Sequence, residues 1–452
     1  MDTPLIQVIS LADKPRELAF KTLLAAEKDH SRAIDDLLSN ILQKTDLSQQ
    51  DKRWIMELVY GVTRMKLQLD AMIESAFKGR YHKAQHAVKT LLRMGSFQLK
   101  HMHTSEHAAI NETVSLSRKV KQSQAAGLIN AVLRKIQTME LSQILDSKKD
   151  GIERLSIETS HPEWLLSRWV SQYSMEDVHA LCKHNNTAPA SWLRRNALVV
   201  EQIEFEAFLT AMDIVFQRSE ILDVFYKIDS AASLFSTREF HQGWFSFQDL
   251  AAGIVASLMD PKPGETIVDA CAAPGGKMAF ISEMSAGQAH IVACDASQSR
   301  LIKVEENIRR LDLKQVIVKQ LDATNSSLPE ADRILLDVPC SGTGVLNRRA
   351  DARWKRTAGD IDSLVEIQTA IVENCWKYLK PGGLMLYATC TLEPEENWAV
   401  IDALIPGLEQ AEIEAIDDEK LKPYIDERGA LSTLPWSHGM DGMFGIKIRK
   451  TI

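Results

Sequence analysis

Two cysteines in this 452-residue chain occupy positions where a thiol can act as a nucleophile. Cys340 lies in Val338-Pro339-Cys340-Ser341-Gly342-Thr343-Gly344, directly after an apolar strand pattern that ends in Asp337. Cys390 lies in Ala388-Thr389-Cys390-Thr391, directly after one that ends in Tyr387. Open α/β sheets bind their ligands outside the carboxyl ends of their strands, so both thiols are expected at one site. A thiolate there suits chemistry on an unreactive aromatic carbon. Addition at carbon 6 of a pyrimidine makes carbon 5 enamine-like and able to take a methyl group; loss of the carbon 5 proton and expulsion of sulfur restore the ring. The competing reading is coincidence among six cysteines, since a cysteine is most often a small buried hydrophobe. Spacing alone does not choose between the two. Cys182, Cys294 and Cys375 are read as inert core, and no C-x-x-C pair points to zinc or dithiol chemistry.

A second constellation surrounds a glycine turn. The strand Glu265–Ala270 runs into Asp269-Ala-Cys271-Ala272-Ala273-Pro274-Gly275-Gly276-Lys277, where paired glycines allow close backbone approach and open a helix with an electropositive end. Only two glycines are present, which fits neither a dinucleotide fingerprint nor a Walker A loop. Asp295 ends the next strand, Asp322 follows the third and Asp337 closes the fourth. A carboxylate at the second strand end can accept both ribose hydroxyls of an adenosine group. Four acids at corresponding strand ends exceed what helix capping explains, and they favour an adenosine ligand that brings its own positive charge. S-adenosylmethionine fits that description better than a pyrophosphate-bearing nicotinamide cofactor.

These residues need elements to position them. Residues 246–452 alternate apolar strands with amphipathic helices, which predicts a doubly wound parallel sheet covered on both faces, with Phe444–Ile448 as a late and antiparallel candidate. Residues 1–140 read as helical throughout; Ile55, Leu58, Val59 and Val62 mark one face after a Ser48/Asp51 capping pair. Residues 141–245 read as a polar connector, a helical segment from Glu163 to about His184 and a small α+β segment with strand-like pieces at Trp192–Asn196 and Ile214–Gln217. The strand containing Leu384 is expected to begin there, after a helix over Asp360–Leu379.

The net charge of −8 argues against general adhesion to nucleic acid, but its distribution is uneven. Residues 75–139 hold eleven Lys and Arg (78, 80, 83, 89, 93, 100, 118, 119, 121, 134 and 135) against Glu106 and Glu112, with His82, His86, His101 and His103 among them. This predicts a phosphate-binding surface that includes Arg93 and Lys100. No apolar run is long enough to cross a bilayer and the first residues lack the pattern of a secretory signal, so a cytoplasmic protein is expected.

Together the segments DACAAPGGK (269–277), ILLDVPCSGTG (334–344) and YATCTLEPEEN (387–397) resemble motifs of the RNA 5-methylcytosine methyltransferases. ELVYGVTR (57–64), HAAINETV (107–114) and GLINAVLRKI (127–136) resemble a NusB-like RNA-binding module. With SHPEWLLSRW (160–169), GWFSFQD (243–249) and DGMFGIKIRK (441–450), nearly the whole chain is similar to the ribosomal-RNA small-subunit methyltransferase B (RsmB) family. The resemblance implies a Rossmann-like S-adenosylmethionine methyltransferase domain behind a NusB-like domain. It implies Cys390 as nucleophile and Cys340 as the group that assists release. Cys271, Ala272, Ala273, Pro274, Gly275, Gly276, Lys277, Asp295, Asp322 and Asp337 would line the cofactor pocket, with Asp337 also touching the base. Met278 and Ala279 stand where relatives carry hydroxyl residues. The implied substrate is a cytosine of 16S ribosomal RNA, modified by a monomer that needs no metal. A transfer-RNA cytosine methyltransferase and a non-catalytic RNA-binding or antitermination factor are the alternatives.

Overall fold

The computed structural model describes residues 15–29 and 32–452. They form two compact units, the described residues up to Thr187 with Leu346–Arg356, and Ala188–Val345 with Thr357–Ile452.

The first unit is helical. Its central helix, His86–Lys100, is buried continuously from Thr90 to Gln98 and touches the helices Pro15–Lys28, Gln49–Arg64, Lys66–Ala76, Glu106–Lys119 and Ala126–Thr138. Ser48 caps Gln49–Arg64 by accepting from the Asp51 amide, as its sequence predicts. The central position overturns one expectation. Arg93 is not on a phosphate-binding surface: it is 6 % exposed, with Nε and Nη2 donating to the Asp70 carboxylate at 2.7 Å and Nη1 to Glu27 at 3.0 Å. Lys100 spends its ammonium on the carbonyls of Met139 and Gln137, at 2.7 and 3.2 Å. A helix surrounded on all sides has no solvent face on which to display charge. Lys78, Arg80, Lys83, Arg118, Lys119, Lys121, Arg134 and Lys135 are exposed.

The expected polar connector is partly helical, with Leu141–Leu145 and Gly151–Thr159, the second capped by Asp150. The single helix expected from Glu163 is two, Glu163–Gln172 and Met175–Asn186, the latter capped by Ser174. The segment Leu346–Arg356 belongs to this unit through buried polar contacts. Arg353, 1 % exposed, donates to Ser160 O, Asn185 O and Asn186 Oδ1 at 2.9–3.1 Å, and Trp354 Nε1 donates to Thr63 O at 2.6 Å.

The second unit contains two sheets. The smaller has strands β1 (Ser191–Arg195), β2 (Phe216–Arg218), β3 (Phe225–Ile228) and β4 (Phe245–Phe247) in the order β2-β3-β1-β4, with helix α1 (Gln202–Ala211) between β1 and β2. Leu193, Phe205, Leu209, Tyr226 and Phe245 pack together in the core of this α+β segment. Phe225 instead stacks edge-on against Phe280 of the larger domain, 5.5 Å between centroids.

The larger sheet comprises β5 (Thr266–Asp269), β6 (His290–Asp295), β7 (Val316–Gln320), β8 (Ala331–Asp337), β9 (Leu379–Thr389), β10 (Ala411–Glu414), β11 (Leu431–Ser432) and β12 (Phe444–Lys450). Its order is β10-β12-β9-β8-β5-β6-β7, with β11 beside β12. Strands β5 to β9 are parallel, and β12 runs antiparallel to β9. The longer helices of this domain are α2 (Leu250–Ser257), α3 (Gly276–Met284), α4 (Gln298–Arg310), α5 (Ala358–Trp376) and α6 (Trp398–Leu404). Two core clusters, one containing Ile267, Leu335 and Leu386 and the other Val268, Leu336 and Tyr387, show alternate residues of the central strands pointing to opposite sides. Strand β9 begins at Leu379 rather than Leu384, because Pro381-Gly382-Gly383 is absorbed as an irregularity in its pairing with β8. The chain leaves β5 toward β6 and β7, then returns to the other side for β8 and β9. This reversal opens a crevice at the carboxyl ends of β5 and β8.

Candidate active site

The two cysteines meet at that crevice. Cys340 Sγ and Cys390 Sγ are 3.2 Å apart, and the Cys390 amide donates to Cys340 Sγ at 3.3 Å. The ladder continues beyond the strands to bring this about: Val338 N donates to Ala388 O at 3.1 Å, and Gly344 N to Cys390 O at 3.1 Å. Side chains then join the loops. Ser341 Oγ and Thr391 Oγ1 are 2.7 Å apart, Thr343 Oγ1 and Thr391 Oγ1 are 2.9 Å apart, and Leu392 N donates to Thr343 Oγ1 at 2.9 Å. A Cβ on Gly344 would fall 2.3 Å from Gly442 O, so the loop before β12 closes directly onto the loop of Cys340.

The environment separates the thiols. Cys340 is pushed well above the ordinary thiol range, first by its hydrogen bond with Cys390, then by burial and by the nearby Cys390 and Glu396. It faces the Cys390 sulfur across a contact in which either thiol can donate. Lys277 projects from α3 and its Nζ bonds Asp337 Oδ2 at 2.7 Å. Burial acts to lower this ammonium, but Asp337 outweighs it, with Cys390 and Asp269 adding to the rise. A buried cation kept charged next to Cys390 favours that thiolate.

The acids at the strand ends differ in state. Asp269 is raised to about 8 by burial and by Asp337, against the opposing pull of Lys277. Asp295 is 3 % exposed. Its Oδ1 accepts from Ser297 N at 2.9 Å, while among the described residues Oδ2 has no hydrogen-bond partner and is ion-paired with Arg300 Nη1 at 3.2 Å. A buried carboxylate oxygen left open at this strand end fits a ribose hydroxyl. Asp322 lies after β7, exposed, and its Oδ1 accepts from Thr324 N and Oγ1 at 3.0 and 2.6 Å, which lower it. It shares the sheet edge but does not bond the other site residues. Cys271 is held well above the thiol range by burial and by Asp269 and Asp337, so it packs as a neutral wall.

Gly275 caps α3 with φ +103°, a conformation that favours glycine. The turn is fixed from α4, where Arg300 Nη2 donates to Ala273 O at 2.8 Å and Asn307 Nδ2 to Pro274 O at 3.0 Å. Met278 and Ala279, the departures from the family pattern, are 0 and 1 % exposed and lie in the core beneath it. The smaller sheet also reaches this turn. Arg194 on β1 donates to Gly276 O at 2.9 Å, to Glu283 at 2.9 and 2.7 Å, and to Gln248.

Of the residues expected at the site, Cys340, Cys390, Lys277 and Asp337 are brought into contact or close electrostatic coupling. Asp269, Asp295 and Cys271 lie around them. Arg194, Gln368 and Glu396 were not singled out. Glu396 sits inside the quoted YATCTLEPEEN segment, where an acid so close to the T-C pair was a signal. Burial raises Cys182 to about 11 and Cys294 and Cys375 to about 12, as befits core thiols. Among the described residues no helix is long and apolar enough to cross a membrane.

Three family models match the chain: NusB family over residues 13–138, a Methyltr_RsmF/B-like ferredoxin-like domain over 161–233, and 16S rRNA methyltransferase RsmB/F over 256–449. The probable ribosomal RNA small subunit methyltransferase B of Bacillus subtilis (strain 168) is 32% identical over 444 residues, covering 96% of this chain and 98% of that protein. The ribosomal RNA small subunit methyltransferase B of Enterobacter sp. (strain 638) is 32% identical over 446 residues, covering 97% and 100%. Among solved structures, that of PH0851 has a TM-score of 0.84 at 21% identity, covering 98% of this chain and 99% of that one. NSun6 from Pyrococcus horikoshii with SFG has a TM-score of 0.59 at 22% identity, covering 64% and 98%. At these identities the two structures carry the likeness of fold alone.

Proposed function

The chain belongs to the 16S rRNA methyltransferase RsmB/F family, and on that premise we propose that Cys390 attacks the target cytosine while Cys340 serves its release. The family uses S-adenosylmethionine to methylate carbon 5 of RNA cytosine, and this protein is an S-adenosylmethionine-dependent rRNA methyltransferase. In this reading it acts in the cytoplasm, on 16S RNA. The cofactor, when bound, supplies an electrophilic methyl group. Asp295 would hold its ribose and the turn Cys271–Lys277 would lie against it, consistent with the open Oδ2 and the left-handed Gly275.

The Cys390 thiolate, favoured by Lys277, forms a bond to carbon 6, and the displaced electron pair makes carbon 5 nucleophilic. Once carbon 5 carries the methyl group, its proton passes to a water molecule that acts as the base. The C–H electron pair restores the 5,6 double bond as the carbon–sulfur bond breaks, and the departing Cys390 sulfur takes that bond's electrons. Cys340 stabilises the departing sulfur by donating its hydrogen bond. Asp337, held by Lys277, accepts the exocyclic amine of the base.

The observation that carries this reading is the 3.2 Å approach of Cys340 Sγ to Cys390 Sγ, beside the Lys277–Asp337 pair. Cys390→Ala is expected to abolish methyl transfer to a 16S RNA transcript. Cys340→Ala is expected to accumulate a covalent protein–RNA adduct on denaturing gels. Full activity in Cys390→Ala would overturn the assignment.

A further inference from the structure

The loop of Cys340 is clamped on both sides of the cysteine. Before it, Pro339 O accepts from Gln368 Nε2 at 3.0 Å. After it, Ser341 N donates to Glu396 Oε1 at 2.8 Å, and the Ser341 hydroxyl donates to Glu396 Oε2. The two clamps are themselves joined, since Gln368 Nε2 also donates to Glu396 Oε1 at 3.0 Å. Tyr387, on the strand that leads to Cys390, donates to Glu396 O at 2.6 Å and lies 3.2 Å from Gln368 Oε1. Gln368 and Glu396 are both 0 % exposed.

Glu396 is an expensive residue for a purely structural purpose. Among the described residues it makes no ion pair with Lys, Arg or His; its carboxylate is held there by hydrogen-bond donors. Burying a charge without a counter-charge opposes stability, and an apolar side chain of similar volume fills such a space at less cost. What an apolar side chain cannot do is fix the peptide between Cys340 and Ser341. Because Ser341 Oγ also meets Thr391 Oγ1 at 2.7 Å, the same carboxylate ties the Cys340 loop to the residue following Cys390.

We infer that Glu396, with Gln368, is a positioning residue that aims Cys340 at Cys390 for product release. This rests on the assignment of the two thiols made above. Neither side chain touches the reacting atoms; both act through the backbone of residues 339–341. A displacement of about 1 Å at a reacting group costs up to roughly a hundredfold in rate. The loss should fall on release, while cofactor binding and the attack by Cys390 are retained.

The test measures, for each variant, covalent adduct on a 16S RNA transcript relative to methyl groups incorporated, with cofactor affinity by equilibrium binding. Glu396→Ala should raise the adduct-to-turnover ratio roughly tenfold or more over the parent, toward the level of Cys340→Ala. Glu396→Gln, whose Oε1 still accepts from Ser341 N, should restore release to within about threefold, and cofactor affinity should stay within about twofold in both. Should Glu396→Ala fail to fold, Gln368→Met, which frees Pro339 O, should give the same shift to a smaller degree. A parallel fall of adduct and turnover, or an unchanged ratio, in the folded variants would overturn the inference. If Cys340→Ala itself traps no adduct, the thiol assignment fails and the inference with it. If Cys340→Ala traps adduct and the Glu396 and Gln368 variants do not, only the inference fails.

Discussion

Arg194→Met should be the most destabilising single substitution in the smaller sheet, and its cost should grow with pH. Arg194 is 0 % exposed and Glu283 8 %. Between them run two charge-assisted hydrogen bonds at 2.9 and 2.7 Å, while a third from Arg194 at 2.9 Å holds Gly276 O at the cofactor turn. Removing one partner of a buried pair leaves the other charge uncompensated, which costs about 3–5 kcal/mol. For a unit of this size, each kcal/mol corresponds to about 2–4 °C in Tm. The variant should thus melt roughly 6–20 °C lower at pH 8. The pH dependence follows from Glu283, which burial already raises above the ordinary carboxylate range despite Arg194. Without the guanidinium its folded pKa rises further above the unfolded value. Such a group is least harmful when protonated at low pH and destabilises as pH rises toward its folded pKa. Up to about 3 kcal/mol of the deficit should disappear between pH 8 and pH 5.5, at 1.36 kcal/mol per unit. Arg194→Met/Glu283→Gln should recover most of the loss and flatten the profile. Urea and thermal unfolding at both pH values, with cofactor binding measured in parallel, read these quantities. A deficit under about 1 kcal/mol, or one independent of pH, would refute the reasoning.

Three further outcomes follow from the site and the helical unit. Asp295→Asn should weaken S-adenosylmethionine binding roughly ten- to a hundredfold by calorimetry, because hydrogen bonds to a charged acceptor are worth about 1.5–3 kcal/mol; unchanged affinity would remove Asp295 from the ribose site. Asp269 has a folded pKa of about 8 against a usual 3.8, so its contribution is present at low pH and lost as pH rises toward 8. Without cofactor, Asp269→Asn should therefore lose less stability than the parent between pH 5 and pH 8 in thermal melts; matching slopes would contradict the shift. Reversing exposed Arg118 and Lys121 to Glu should weaken transcript binding and reduce its salt slope by roughly one to two, whereas an unchanged slope would take RNA off that face.

The alternating part of the fold was legible because buried parallel strands are nearly continuous apolar runs: HIVACD and RILLD match β6 and β8 closely. Short strands were less legible. FYKI and FSF, at β3 and β4, are three or four residues long and fall below the length at which alternation is informative. The misreading of Arg93 has a physical cause. Arg93 lies among apolar neighbours in a buried helix. It is held by partners distant in sequence, Glu27 and Asp70. A charge count registers residue type, whereas burial of a cation depends on where its acceptors fold.

The same distinction explains how much of the site could be read. Both thiols and the glycine turn are local patterns, visible because chemistry constrains consecutive residues. The roles of the thiols are not local. Nothing in P-C-S or T-C-T says which sulfur carries the proton. The surroundings of the two thiols differ, with Glu396 bonded beside Cys340 and Lys277 near Cys390. Glu396 lies 56 positions beyond Cys340 yet is bonded to its neighbour Ser341, and Lys277 stands 113 positions before Cys390. A thiol pair in identical surroundings would share one proton symmetrically and give neither partner a fixed task. Here burial and the contact with Cys390 raise Cys340, while a charged Lys277 lies near Cys390. What distinguishes the two thiols therefore comes from residues far along the chain, Glu396 bonded beside Cys340 and Lys277 on α3 near Cys390.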